Sequence, residues 1–211
     1  MTNLPDFIEK WRAIGGKERQ NYQLFLIDLT RAMGLPQPAP ANDDDRDNPY
    51  IFERDVVFQR GRGETSLGRI DLYRRGAFVC EAKKIRAGTS KNAFDVALLN
   101  ARNQAEGYAR ALSSDEGRPP FLLVVDVGKT IQLYSEFSRS GGSYIEFPDP
   151  RSFSITLEQL AEPEIAERGG AIFDALFVHH VFGRRRPSAE SRVFWIVGAP
   201  IERTPQNARC T

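Results

Sequence analysis

The chain has 211 residues, 41% hydrophobic and 27% charged, which supports a packed domain with or without an extension and excludes wholesale disorder. Its net charge of +1 excludes a whole-molecule attraction to polyanions. No apolar run reaches the roughly 18 residues of a bilayer span, and Met1-Thr2-Asn3-Leu4-Pro5-Asp6 has no leader character, so the expectation is a cytoplasmic protein with no membrane partner.

Residues 5–14 and 18–34 read as helices separated by Gly15-Gly16. The second carries Tyr22, Phe25, Leu26, Leu29, Ala32 and Met33 at helical spacing. Gly34 and the prolines at 36, 38 and 40 end it. Residues 36–49 form a Pro- and Asp-rich loop; Asn42-Asp43-Asp44-Asp45 lacks the glycine-centred pattern of a calcium loop and reads as solvated. Residues 50–59 read as a strand and 60–66 as a turn. Two further apolar strands follow, joined by a turn at Arg74-Arg75-Gly76. Residues 91–112 form a long helix with the stripe Phe94, Ala97, Leu98, Ala101, Ala105, Tyr108 and Leu112. Phe121 to Val127 is almost purely apolar, as in a central strand covered on both faces. Thr130 to Tyr134 pairs with it, and 144–147 is one more short strand. Residues 157–178 return to helical character.

This order predicts an α/β layer, a central mixed sheet flanked by helices, with the long helix as a crossover. The predicted division is a domain over 1–150, a helical extension over 151–182 and an irregular tail over 183–211.

The hairpin Gly68 to Lys83 carries the chemistry. Nine residues separate Asp71 from Glu81, and Lys83 follows two places later. Glu81 and Lys83 share one side of a strand, and the turn can deliver Asp71 to the same side. Two carboxylates, an ammonium and the Ala82 main-chain carbonyl would then converge. Phosphodiester hydrolysis needs neutralised charge and a nucleophile at neutral pH, and a divalent metal supplies both. Mg²⁺ takes hard oxygen ligands and keeps waters, so Asp71 and Glu81 suffice. Lys83 would orient or deprotonate the water, or stabilise developing charge. The bland alternative is a surface Asp and a Glu-Lys ion pair.

Gln104 and Tyr108 lie four apart on the long helix and share a face. Either they reach the site or a phosphate, or Gln104 merely sits at the edge of the core with Tyr108 packed beside it. Glu18 is a candidate extra metal acid, although a carboxylate there is also what a helix start favours. Residues 60–91 hold nine Lys/Arg against three acids. That suits a phosphate backbone or a charged edge that resists strand pairing. Cys80, inside a strand, reads as a small core residue, and with Cys210 it builds no zinc pattern.

Asp71-x9-Glu81-Ala82-Lys83 followed by Gln104-x3-Tyr108 resembles the PD-(D/E)xK nuclease superfamily, in its Gln-x3-Tyr-bearing branch. Phe7-Ile8-Glu9-Lys10-Trp11-Arg12, Glu18 to Leu26, Tyr50 to Arg54, Gly68 to Tyr73 and Phe78 to Lys83 resemble the N-terminal part of MmeI-like restriction-modification enzymes, over about residues 5–175. The resemblance implies a restriction-endonuclease-like fold and a Mg²⁺-dependent DNA endonuclease, with duplex DNA and a methyltransferase or target-recognition protein as partners. Ile70 stands where the superfamily has its nominal proline. No Asn-Pro-Pro-Tyr-type motif or glycine-rich cofactor loop is present, so S-adenosylmethionine is expected only in a methyltransferase part outside this chain. The rival expectation is a truncated, non-catalytic DNA-binding or assembly fragment.

Three other motifs carry no function. Gly128-Lys129-Thr130 lacks the upstream glycine of a phosphate loop, Leu123 standing there. His179-His180 lacks metal spacing, and Gly61-x-Gly63 is a turn.

Overall fold

The computed structural model describes residues 3–14, 18–40, 48–59, 61–86, 88–113, 115–138, 142–163 and 165, with the side chains of 18–20 and 62 excepted. The acidic loop at 42–45, the His179-His180 pair, Cys210, the tail over 183–211 and most of the helical stretch read over 157–178 lie outside these residues.

Helix α1 spans Leu4–Ala13 and α2 spans Glu18–Ala32. Asn3 caps α1 by accepting the Asp6 N–H at 2.9 Å. The two helices lock through Asp28, which accepts from Lys10 Nζ at 2.6 Å and from Trp11 Nε1 at 3.1 Å. Gly34, at φ +68°, ends α2 in a left-handed step. The Leu35 N–H then returns to the Thr30 carbonyl at 2.8 Å.

Strands β1 (Tyr50–Gln59), β2 (Thr65–Arg74) and β3 (Phe78–Lys83) are antiparallel neighbours. Helix α3 (Lys91–Ala111) then crosses to β4 (Phe121–Asp126), which lies parallel to β3. β5 (Thr130–Ser135) returns antiparallel to β4. The short strands β6 (Ile145–Glu146) and β7 (Ser154–Thr156) both pair with β5. The sheet is mixed, as expected, because only the α3 crossover lets two neighbouring strands run parallel.

Two cores sandwich the sheet. Phe7, Trp11, Phe25 and Leu29 pack with Leu72, Phe78, Cys80 and Val125 on one face. Leu98, Ala101, Ala105 and Tyr108 of α3 pack with Tyr73, Val79, Leu122 and Val124 on the other. β4 is buried along its whole length, which is why its sequence shows no polar alternation.

Residues 151–162 are not α-helical, whereas Pro163 and Ile165 are, and the rest of the 151–182 stretch lies outside the described residues. Residues 154–156 form strand β7, and Gln159–Ala161 is a single 3-10 turn. Leu157 and Leu160 join the core beneath α1 and α2. Ser154-Ile155-Thr156 is too short to show a strand period, so the edge of β5 decides its conformation.

Candidate active site

The β2–β3 turn falls where the sequence places it. Gly76 takes φ +69°, and the Ala77 N–H donates to the Arg74 carbonyl at 3.1 Å. From the turn the ladder runs Arg74↔Phe78, Tyr73↔Val79 and Leu72↔Cys80, then stops. The next step would set Asp71 opposite Glu81. There Asp71 Oδ2 accepts the Ala82 N–H at 2.7 Å. A carboxylate thus occupies the place of a strand carbonyl, and the two strands separate around it. A strand residue's N–H and C=O point to the same neighbour, so the Ala82 carbonyl shares the Asp71 side.

Glu81 and Lys83 share the α3 side of β3 with Val79, while Phe78, Cys80 and Ala82 face α1 and α2. Glu81 is 2% exposed, and its Oε1 accepts from Lys83 Nζ at 2.6 Å. Lys83 Nζ also reaches Gln104 Oε1 at 3.3 Å, and Gln104 Nε2 donates to the Tyr108 hydroxyl at 2.8 Å. The structure therefore links Glu81, Lys83, Gln104 and Tyr108 in one chain, beside the Asp71–Ala82 bond. Gln104 is solvent-exposed; it bonds at the rim of the buried stripe rather than within it. Glu18 opens α2, and its side chain is outside the described residues.

The buried Cys80 thiol senses this charge from the opposite face. Burial pushes its pKa well up, and the Asp71 and Glu81 carboxylates push it further. Cys80 is fully buried, the core residue its sequence context predicts.

Two residues beside the site carry no motif. Asp126 ends β4 opposite Lys83 in the parallel register and is fully buried. It accepts the Ile85 N–H at 2.9 Å, and Lys129 Nζ stands 3.4 Å from its other oxygen. Lys129 Nζ also donates to the Ile85 carbonyl at 2.6 Å, and Lys84 Nζ to the Val127 carbonyl at 2.7 Å. These bonds pin the exit of β3 to the β4–β5 turn. An acid closing an apolar run was the available signal. The second residue, Glu53, gave no signal at all: it stands on β1 with φ +57°.

The basic count over 60–91 overstates the charge left for a phosphate. Arg69 pairs with Asp55 and Glu53, Arg75 stands 3.8 Å from Glu116, and Arg74 lies over the Tyr50 ring. Lys83 and Lys84 are held as described above. Arg86 and Lys91 are exposed, and Arg60 and the Arg62 side chain lie outside the described residues.

The donor set fits a hard cation. It comprises two carboxylates and a carbonyl, and no group of three or more His, Cys, Asp or Glu suited to a metal occurs among the described residues. Two carboxylates are enough for Mg²⁺, which keeps its waters, and too few for a calcium cage.

A seven-stranded mixed sheet between helices, with these side chains gathered where a ladder opens, defines an α/β protein compatible with a restriction-endonuclease-like fold. The family described as MmeI, N-terminal domain, matches residues 2–171, and the chain belongs to that family. Membership associates it with restriction-modification systems. No curated protein and no solved structure matched the chain. Among the described residues no helix is long and apolar enough to cross a membrane.

Proposed function

We propose that this chain is the metal-dependent DNA endonuclease domain of a restriction-modification system, hydrolysing phosphodiester bonds in duplex DNA. The observation that carries the reading is the opened ladder, where Asp71 bonds the Ala82 N–H beside the Glu81–Lys83–Gln104–Tyr108 chain. Asp71, Glu81 and the Ala82 carbonyl would hold Mg²⁺, which when bound supplies Lewis acidity and acidifies water.

The protein's own groups do the rest. Lys83 sits in an ion pair 2.6 Å from Glu81, so it acts as an ammonium and donates. That supports a role in orienting the attacking water and offsetting charge on the phosphate, rather than removing a proton. Gln104 fixes the Lys83 head from α3, and the Tyr108 hydroxyl fixes the Gln104 amide. A methyltransferase or target-recognition protein would read the sequence, because phosphate contacts position a protein while base contacts specify its site.

A plasmid nicking assay over a Mg²⁺ titration tests the proposal. Wild-type protein, alone or with its methyltransferase partner, is expected to cut. Asp71→Ala and Lys83→Ala are expected to reduce cleavage by at least about a hundredfold while melting cooperatively. Salt-sensitive DNA retention without cleavage, indifferent to Asp71→Ala, would instead favour a non-catalytic module.

A further inference from the structure

Three observations meet at Glu53. It is the one non-glycine residue with positive φ among the described residues, at φ +57°. Side chains other than glycine rarely adopt that region, and glutamate is not among the types enriched there. The β1–β2 ladder is continuous from Tyr50↔Arg74 to Gln59↔Thr65 except at one step, where Glu53 would face Asp71. Asp71 therefore stands at the one step the β1–β2 ladder skips, with the register unchanged beyond it, and just past the end of the β2–β3 ladder.

The third observation is a change of face. Strand alternation keeps residues of one parity on one side. Tyr50 and Phe52 pack towards α1 and α2, yet Val56 and Phe58, of the same parity, pack towards α3. On β2, Leu72 packs towards α1 and α2 while Ile70 packs towards α3. Both strands exchange faces at the Glu53–Asp71 step. A left-handed residue supplies the half-turn that an extended strand lacks. The long arm beyond it, residues 54–59 and 61–70, can then lie over α3, where the Phe58 and Tyr108 rings meet at 5.7 Å.

We propose that Glu53 is a positioning residue for the candidate site, acting through its backbone rather than its carboxylate. Its left-handed step rotates the opposite strand. The Asp71 carboxylate is thereby turned into the gap against the Ala82 N–H instead of standing on a sheet face. The Glu53 side chain is engaged elsewhere, 3.6 Å from Arg69. The proposal rests on Asp71 being the metal-binding carboxylate proposed above.

Mn²⁺ titration of the intact chain, with amide exchange at Ala82, provides the test. Glu53→Gly adopts the left-handed step freely, and Glu53→Gln keeps the side chain's shape without its charge. Both are expected to bind Mn²⁺ and protect the Ala82 amide as the wild type does. Glu53→Val resists positive φ; it is expected to weaken Mn²⁺ binding about tenfold or more and to expose the Ala82 amide while still melting cooperatively. Should the Val chain not melt cooperatively, Glu53→Ala carries the comparison, exchanging faster at Ala82 than Glu53→Gly. Wild-type behaviour in the Val and Ala chains overturns the proposal, as does a loss in Glu53→Gln equal to that in Val. Ala82 protection that follows residue 53 while no chain binds Mn²⁺ would keep the backbone device and sink the metal site.

Discussion

Asp126 combines full burial with a negative charge, and burial disfavours that charge. Its pKa is held above the ordinary 3.8, chiefly by desolvation; the Ile85 amide and Lys129 pull it back down. The folded protein therefore holds this proton more tightly than the unfolded chain does. The stability this contributes is full below pH 3.8 and is lost as pH rises through the raised folded value. Asp126→Asn retains an oxygen for the Ile85 N–H and has no such titration. Urea unfolding of both chains from about pH 3 to pH 7 should show the wild type losing ground to the variant as pH climbs above 3.8. A gap that stays level across that range contradicts the assignment. Glu81, by contrast, is buried with an ammonium 2.6 Å away, so its charge has a partner. The sequence marked Glu81 by its spacing from Asp71 and Lys83. It could not rank Asp126, because only the parallel register with β3 brings that acid beside Lys83.

Among the elements, the β1–β2 arm and α3 meet at Gly68. A Cβ there would lie 2.5 Å from Phe58 Cε2 and 2.6 Å from Tyr108 Cε1. Neither ring can yield easily, since each packs against the other. Gly68→Ala should lower the unfolding free energy by about 1–3 kcal/mol. It should also slow cleavage by displacing Tyr108 from Gln104, which a Tyr108→Phe chain would mimic with less cost in stability. Gly107 is the matched control. A Cβ there meets only Phe58 Cε1 at 3.8 Å, an ordinary contact. Gly107→Ala should stabilise α3 by up to about 1 kcal/mol and leave cleavage intact. Thermal melts with the nicking assay separate the two glycines; equal behaviour would mean that the arm does not press on the site. The long helix was legible from its stripe. The arm was not, because strand period says nothing about where two strands change faces.

For the whole molecule, the sheet does not close at residue 150. β7 adds an edge to β5, the Leu157 N–H donates to the Lys129 carbonyl at 2.7 Å, and Leu160 is fully buried. Removing one buried leucine side chain commonly costs about 2–5 kcal/mol. A chain cut after residue 150 should therefore unfold at clearly lower urea than one cut after residue 171, where the family match ends. Coincident unfolding curves would show that the 151–162 segment is an appendage. The turn that holds it is also the one bearing Gly128-Lys129-Thr130. There Gly128, at φ +77°, turns a tight hairpin while Lys129 bonds the Ile85 carbonyl. Those residues tie the end of β3 to the core.

The order of helices and strands, the central place of β4, the turn at Gly76 and the proximity of Glu81 to Lys83 follow from local pattern. Periods of two and of nearly four report which side chains share a face, and glycine and proline report where the chain turns. The Asp-x9-Glu-x-Lys spacing gave the candidate chemistry for the same reason, since a short turn returns one strand beside the other. Tertiary structure alone decided that the Asp71 carboxylate fills a gap in the ladder, that β1 and β2 change faces where Glu53 takes a positive φ, and that Arg69, Arg74, Arg75, Lys83 and Lys84 of the basic stretch meet internal partners. Each depends on residues far apart in sequence meeting in one register, and no local pattern carries that information.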